Sequence, residues 1–170
     1  MNVCETARLR LRHLEERDAA FIVELLNDAD FLRNVGDRGV RNEDDVRRYL
    51  AEGPHASYAR HGFGLYLVEL RAAGCAIGMC GLLRRDTHPD VEIGFALLPQ
   101  HRGHGYALEA ARATLQLATR KFGLTRVVAI TAPENSASID LLETLGFRYE
   151  RVVRFTADGD SRLFVLEAAH

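Results

Sequence analysis

Gln100-x-x-Gly103-x-Gly105 is the stretch of this chain whose residue types and spacing could hold an anion. Glycine lets the backbone approach a ligand closely, and successive N–H groups can then turn toward it. The apolar segment Val91–Leu97 precedes this run, and a long helix-like segment opening near His104 follows it. A helix start adds a dipole that favours negative charge at the same point, so strand, turn and helix together read as a phosphate cradle. The spacing excludes two nucleotide loops. Gly-x-x-x-x-Gly-Lys-Ser/Thr occurs nowhere in the chain. A Gly-x-Gly-x-x-Gly/Ala fingerprint would need a small residue where Leu108 stands, and it belongs near the start of a βαβ unit rather than past mid-chain. A strand-to-helix turn with no ligand is the alternative. His101 and His104 flank the loop, but no carboxylate or cysteine completes a metal set, so no metal site is expected.

The elements that would position this loop follow from pattern. Residues 6–12 alternate polar and apolar and read as a strand. Asp18 is placed to cap a helix carrying Phe21, Ile22, Leu25 and Leu26 on one stripe, with a short helical turn around Phe31 and Leu32 beyond it. Asn42 caps a second helix that ends at Gly53-Pro54, and residues 55–61 suit another short one. Residues 63–70 and 76–83 form a hairpin of apolar strands, and the Asp86-Thr87-His88-Pro89-Asp90 turn leads into the Val91–Leu97 strand. The helix over residues 104–122 places Leu108, Ala111, Leu115, Ala118 and Phe122 on one face, and Gly123 stops it. A β-branched strand over 127–131, a helix capped by Asn135, and a last hairpin turning at Ala157-Asp158-Gly159-Asp160 complete the chain. The order β-α-α-β-β-β-α-β-α-β-β describes a mixed α/β sheet rather than a doubly wound one.

Bulk properties narrow the partners. A chain of 170 residues without linker or repeat fits a single domain spanning residues 1–170. The net charge of −2 gives no electrostatic case for nucleic acid or anionic membrane. Cys4, Cys75 and Cys80 are odd in number and form no Cys-x-x-Cys, so they read as small residues of a reduced protein. No apolar run approaches the roughly 20 residues of a membrane span, and the polar N-terminus is no signal peptide, which makes the cytoplasm the expected location.

The element order, together with three blocks of residues, resembles the Gcn5-related N-acetyltransferase (GNAT) superfamily from about Thr6 to Leu166. The blocks are Thr6-x-Arg8-Leu9-x-Leu11-Arg12, Ile93-Gly94-Phe95 with the glycine loop, and Asn135-x-x-Ser138-x-x-Leu141-Leu142-x-x-x-Gly146-Phe147. Within the superfamily they are most similar to the branch containing the ribosomal-protein alanine N-acetyltransferases RimJ and RimL. The resemblance implies the acyl-CoA N-acyltransferase fold: a central, mostly antiparallel splayed sheet flanked by helices. It also implies acetyl-CoA as co-substrate, with the diphosphate on the backbone N–H groups of Arg102, Gly103, His104, Gly105, Tyr106 and Ala107. The pantetheine arm would pair with Leu97 and Leu98 where the sheet splays, Pro99 ending the ladder because it lacks an N–H. Asn135 would contact pantetheine, cap its helix, or do both.

The implied reaction is direct attack of an acceptor amine on the thioester, with no acyl-enzyme. Glu92 is the candidate base by position, two residues before Gly94; a salt-bridge or solvent-side role is its alternative. A backbone N–H near Leu97 or Leu98 would meet the oxyanion. Many members place a Tyr seven residues after the motif Asn, but Leu142 stands there, which leaves Ser138 as candidate acid or as a first-turn residue satisfying local backbone. A thiol with a pKa of about 8.5 needs little help to leave. The acceptor is a primary amine of a protein N-terminus or a small molecule, and Phe31, Asn34, Arg84 and Arg85 are candidates for bordering it. A monomer or homodimer is expected. A silent acyl-CoA-binding sensor or complex subunit is the rival reading, motivated by the missing Tyr.

Overall fold

The computed structural model describes residues 1–86, 88–156 and 159–168. Thr87 of one expected turn and Ala157-Asp158 of another lie outside the described residues. Eight strands form one sheet: β1 (Asn2–Glu5), β2 (Leu9–His13), β3 (Leu65–Leu70), β4 (Ala76–Arg84), β5 (Val91–Leu97), β6 (Arg126–Thr131), β7 (Arg148–Thr156) and β8 (Gly159–Glu167). Their spatial order is β1-β2-β3-β4-β5-β6-β8-β7, and every neighbouring pair is antiparallel except β5 with β6. The helices are α1 (Ala19–Leu26), α2 (Ala29–Asn34), α3 (Glu43–Glu52), α4 (Pro54–His61), α5 (Tyr106–Arg120) and α6 (Ser136–Thr144). This is the mixed, helix-flanked sheet that the element order anticipates.

Strand alternation sends alternate side chains to two separate cores. Leu9, Leu11, Val68, Ile77, Val91 and Ile93 meet Ala110, Ala111 and Ala118 of α5 and Leu142 of α6 on one face. Leu67, Met79 and Leu98 meet Ile22, Leu25 and Leu26 of α1 and Val46 and Leu50 of α3 on the other. Helix α4 closes one end of the sheet. There the Tyr58 hydroxyl donates to the Leu65 carbonyl and accepts the Leu14 N–H at 3.2 Å, while its ring stacks on His13 with centroids 4.0 Å apart. Burial pushes the Tyr58 phenol well above its ordinary value, so this anchor stays protonated.

Four local expectations need correction. The strand expected over residues 6–12 is a hairpin, β1 and β2, with Thr6 inside its turn: Thr6 Oγ1 accepts the Leu9 N–H at 3.0 Å. Alternation counted from Thr6 merges a turn with the strand after it. Asp18 precedes α1 but does not cap it; its carboxylate takes a two-pronged ion pair from Arg12 at 2.8 and 2.9 Å and the Glu15 N–H at 2.9 Å. A buried guanidinium needs a partner, and that demand outranks the cap. Helix α5 starts at Tyr106 and ends at Arg120 because Gly105 occupies its N-cap in the left-handed region. Its buried face is Ala110, Ala111, Thr114 and Ala118, while Leu108 lines a groove with Thr6 and Arg8. Small residues on the inner face let the helix lie close to the sheet.

Candidate active site

Strand β5 is the axis of the site. It pairs with β6 only at Val91–Val127 and Glu92–Val128; beyond that rung both strands continue, but they separate. A wedge therefore opens between residues 93–97 and residues 129–131. Antiparallel pairs alternate between bonded and unbonded, so the register of β5 on β4 decides which groups face the wedge. Leu98 N–H donates to Ile77 C=O at 2.9 Å, which turns Leu98, Ala96 and Gly94 toward β4. The backbone groups of Ile93, Phe95 and Leu97 thus face the wedge. The expectation of a ligand on both Leu97 and Leu98 narrows accordingly: Leu98 has its N–H engaged and its side chain 3% exposed in the core. The backbone groups of Ile93 and Phe95 face the wedge in its place, as strand alternation read from the Pro99 end shows.

At the C-terminal end of β5 a single 3-10 turn, Pro99–His101, leads into the glycine loop. The Arg102 N–H closes that turn onto Pro99 C=O at 3.2 Å, so it too is removed from the expected set of anion donors. Gly103 and Gly105 both have φ near +80°, a conformation that side chains disfavour, and this curls the loop over the start of α5. The first intrahelical bond runs from Glu109 N–H to Gly105 C=O at 3.1 Å. The N–H groups of Gly103, His104, Gly105, Tyr106 and Ala107 therefore stand at a helix N-terminus without a backbone acceptor among the described residues, as an anion site requires.

Side chains brace that loop from both sides. Arg8 Nη1 donates to His104 C=O at 2.8 Å, its Nε pairs with Glu109 Oε1 at 2.8 Å, and its guanidinium lies 4.5 Å from the Tyr106 ring centroid. Glu109 also accepts the Arg8 N–H at 3.0 Å and the Thr6 hydroxyl. Burial alone would raise the Glu109 carboxyl, but the hydrogen bonds from Thr6 and Arg8 outweigh it and hold the group below its usual value. On the other side Arg102 donates to Leu97 C=O from Nε at 3.2 Å and Nη2 at 2.9 Å, and it bridges to Asp28, the N-cap of α2, at 2.9 Å and to Asp30 in its first turn. Sequence reading noticed Thr6-x-Arg8 as a block but not its task, because its partner lies about a hundred residues away.

Glu92 sits at the closed end of the wedge, 6% exposed. Val91 and Ile93 point to the α5 side, so Glu92 points to the opposite face. Its Oε2 accepts from Arg85 Nε at 2.7 Å and lies 3.5 Å from His88 Nε2. The candidate base is therefore also a salt-bridge partner. Asn135 Oδ1 accepts the Ser138 N–H at 3.3 Å, so it caps α6, and Ser138 occupies the first turn, half-buried. Leu142, at the position of the missing Tyr, is 1% exposed in the core. Burial pushes the Cys80 thiol up to about 12, and its Sγ lies 3.3 Å from Thr114 Oγ1. This is a packing cysteine, not a nucleophile.

A cavity of about 440 Å³ opens between the end of α4 and the β4–β5 connection, lined by Arg60, His61, Arg84, Asp86 and the two neighbours of Glu92, Arg85 and His88. Of the candidates for bordering an acceptor, Arg84 and Arg85 meet here. Phe31 and Asn34 do not line this cavity; they belong to α2, near the glycine loop through Arg102.

Relatives share this architecture. The family model described as "Acetyltransferase (GNAT) domain" matches residues 8–148. The chain is 31% identical over 152 residues to "Uncharacterized protein YkkB" of Bacillus subtilis (strain 168), covering 88% of this chain and 87% of that one. It is 28% identical over 145 residues to "Uncharacterized N-acetyltransferase YnaD" of the same organism, covering 85% and 82%. The crystal structure of a GNAT-family acetyltransferase from Bacillus anthracis superposes with a TM-score of 0.81 at 26% identity, covering 98% of both chains. RimL, a ribosomal L7/L12 alpha-N-protein acetyltransferase solved with coenzyme A, shares the fold at a TM-score of 0.82 and 17% identity over 98% of both chains. With most of its length inside that family model, the chain belongs to the acetyltransferase (GNAT) domain family, and the chemistry of its site is N-acetyl transfer.

Proposed function

We propose that this enzyme moves the acetyl group of acetyl-CoA to a primary amine of a small molecule or a protein N-terminus by direct attack. The observation that carries the reading is the wedge between β5 and β6, which ends at Glu92 on one side and at a loop of unpartnered N–H groups on the other. The thioester supplies the acetyl group. The loop from Gly103 to Ala107 holds the diphosphate, and the arm lies along the wedge against the backbone of Leu97, Phe95 and Ile93. Glu92 and Leu97 are five residues apart, about 17 Å of strand. An extended arm anchored at the loop therefore carries its reactive end toward Glu92.

Glu92 takes the proton of the acceptor ammonium, directly or through one water. The free amine attacks the carbonyl carbon, the new C–N bond forms, and charge builds on oxygen facing a wedge-side N–H. One such donor is worth ~3 kcal/mol in other oxyanion holes. The C–S bond then breaks with its electron pair leaving on sulfur. The nitrogen sheds its second proton as the amide forms. Ser138 donates a proton to the thiolate and is reprotonated by the one the nitrogen sheds, or solvent carries it, since the thiolate is already a fair leaving group. Asn135 holds the first turn of α6 and contacts the arm. Within the family we place the chain with the RimJ and RimL branch on its three sequence blocks. We infer action in the cytoplasm as a monomer or homodimer.

Calorimetric titration with acetyl-CoA, beside NAD as control, tests the donor half; release of free CoA with a panel of amines tests transfer. Micromolar acetyl-CoA binding with amine-dependent CoA release is the expected pair of results. Binding without release from any amine would favour a silent acyl-CoA sensor instead.

A further inference from the structure

We propose that the cavity beside Glu92 binds a carboxylate of the acceptor, so that the preferred acceptor is a small amino acid-like amine rather than a neutral or polycationic one. This inference rests on the acetyl-transfer reading above and gives its acceptor a charge. Three guanidiniums, those of Arg60, Arg84 and Arg85, line the cavity against one lining carboxylate, Asp86. Glu92 engages Arg85, at 2.7 Å. Neither Arg60 nor Arg84 has a carboxylate within ion-pair distance among the described residues, whereas most surface arginines of the chain do, including Arg33, Arg41, Arg47 and Arg154. His61 and His88 add donors at the same wall. A pocket of this size suits a small molecule, and two open guanidinium forks match a carboxylate in geometry as well as charge.

Position gives the charge its meaning. Arg85 and His88 line the cavity and lie 2.7 and 3.5 Å from Glu92 Oε2, so the cavity adjoins the point at which the amine must lose its proton. An acceptor whose carboxylate sits between Arg60 and Arg84 presents an amine a few bonds away toward Glu92. Arg85 stays with Glu92 and orients it. Polyamines would bring like charge to the same wall, which opposes binding.

The test compares each of glycine, β-alanine and 4-aminobutyrate with its own carboxamide as acceptor, in the wild type and in Arg60→Gln/Arg84→Gln. For the best spacing, the acid is expected to exceed its amide at least tenfold in kcat/KM, and the double variant to bring the pair within about twofold, a loss of about 1 kcal/mol of discrimination. Arg84→Glu should then favour the amide. Equal use of acid and amide by the wild type, or a preference that survives the double variant, overturns the proposal, as does turnover of an acidic peptide N-terminus alone. Binding is read separately by calorimetry with N-acetyl-β-alanine and its amide. If no amine releases CoA, the transfer reading fails. Selective binding of the acid that is lost in the double variant still supports the carboxylate site, and equal or absent binding of both ligands rejects it.

Discussion

In the site proposed above, the two ends of β5 read their ligands in opposite ways. At the C-terminal end the backbone is arranged to meet the ligand, and side chains only hold it in shape: Arg8, Glu109 and Thr6 on one side, Arg102 with Asp28 and Asp30 on the other. At the N-terminal end the side chains of Glu92, Arg85, His88, Arg60 and Arg84 form the surface themselves. A donor shared by a whole family can be read by N–H groups that any sequence supplies, provided the glycines and the bracing residues allow the curl. An acceptor particular to one member must be read by side-chain identity, which changes without disturbing the strands beneath. The contrast implies that the two ends fail separately.

The largest separation is expected from Glu92→Gln. Loss of the carboxylate should lower kcat by about 100-fold or more, while calorimetric affinity for acetyl-CoA stays within about twofold. A parallel loss of both would show that the ends are one unit. The converse variant is Arg8→Ala, which frees His104 C=O and leaves Glu109 without its cation. KM for acetyl-CoA should rise about tenfold with little change in kcat, and Arg8→Lys should fall between, because it restores charge without the fork. Acetyl-pantetheine, which lacks the diphosphate, separates a loop defect from general damage. Only acetyl-CoA should suffer; equal losses with both donors would sink the bracing role.

A smaller effect is expected in acid. Glu109 has its carboxyl pKa depressed in the fold, with burial the largest single influence but opposed and outweighed by the Thr6 and Arg8 hydrogen bonds. A depressed carboxyl stabilises the fold above its unfolded value of 4.5 and loses that contribution as pH falls through the lower folded value. Melting temperature against pH should therefore drop less steeply below pH 4.5 in Glu109→Gln than in the wild type. The same scan on Arg60→Gln should be superimposable on the wild type, since Arg60 carries no ion pair among the described residues. Identical acid limbs for Glu109→Gln and wild type would remove Glu109 from the ledger of loop supports.

How legible each end was follows from the same contrast. Gln100-x-x-Gly103-x-Gly105 between a strand and a helix is local, so spacing alone announces it, and Gly105 then fixes where α5 begins. Asn42 and Asn135 were legible as caps because a cap is satisfied three residues on. Leu98 was assigned to the wedge because which neighbour an N–H faces depends on register with β4, which no single strand encodes. Topology brings Arg8 to Glu109 across about a hundred residues and sets Arg60 and Arg84, about twenty residues apart, on one cavity wall, and no periodicity signals either. Asp18 looked like a cap and serves Arg12 instead, because the demand of a buried cation is invisible until burial is known.

Asn135 offers the finest test, because it belongs to the family block yet has a complete local explanation. Its Oδ1 accepts the Ser138 N–H at 3.3 Å at the start of α6, and Ile139 N–H reaches its carbonyl at 3.1 Å. Removing the side chain in Asn135→Ala takes away only the cap, which costs about 1 kcal/mol. In a domain of this size that lowers the melting temperature by about 3 °C. Asn135→Asp and Asn135→Ser keep an acceptor at the same place and should recover most of it. If the amide also touches the pantetheine arm, as we propose, the alanine variant raises KM for acetyl-CoA, and the serine and aspartate variants restore stability without restoring KM. Recovery of both together would mean that α6 needs only its cap, and that the wedge is completed by backbone alone.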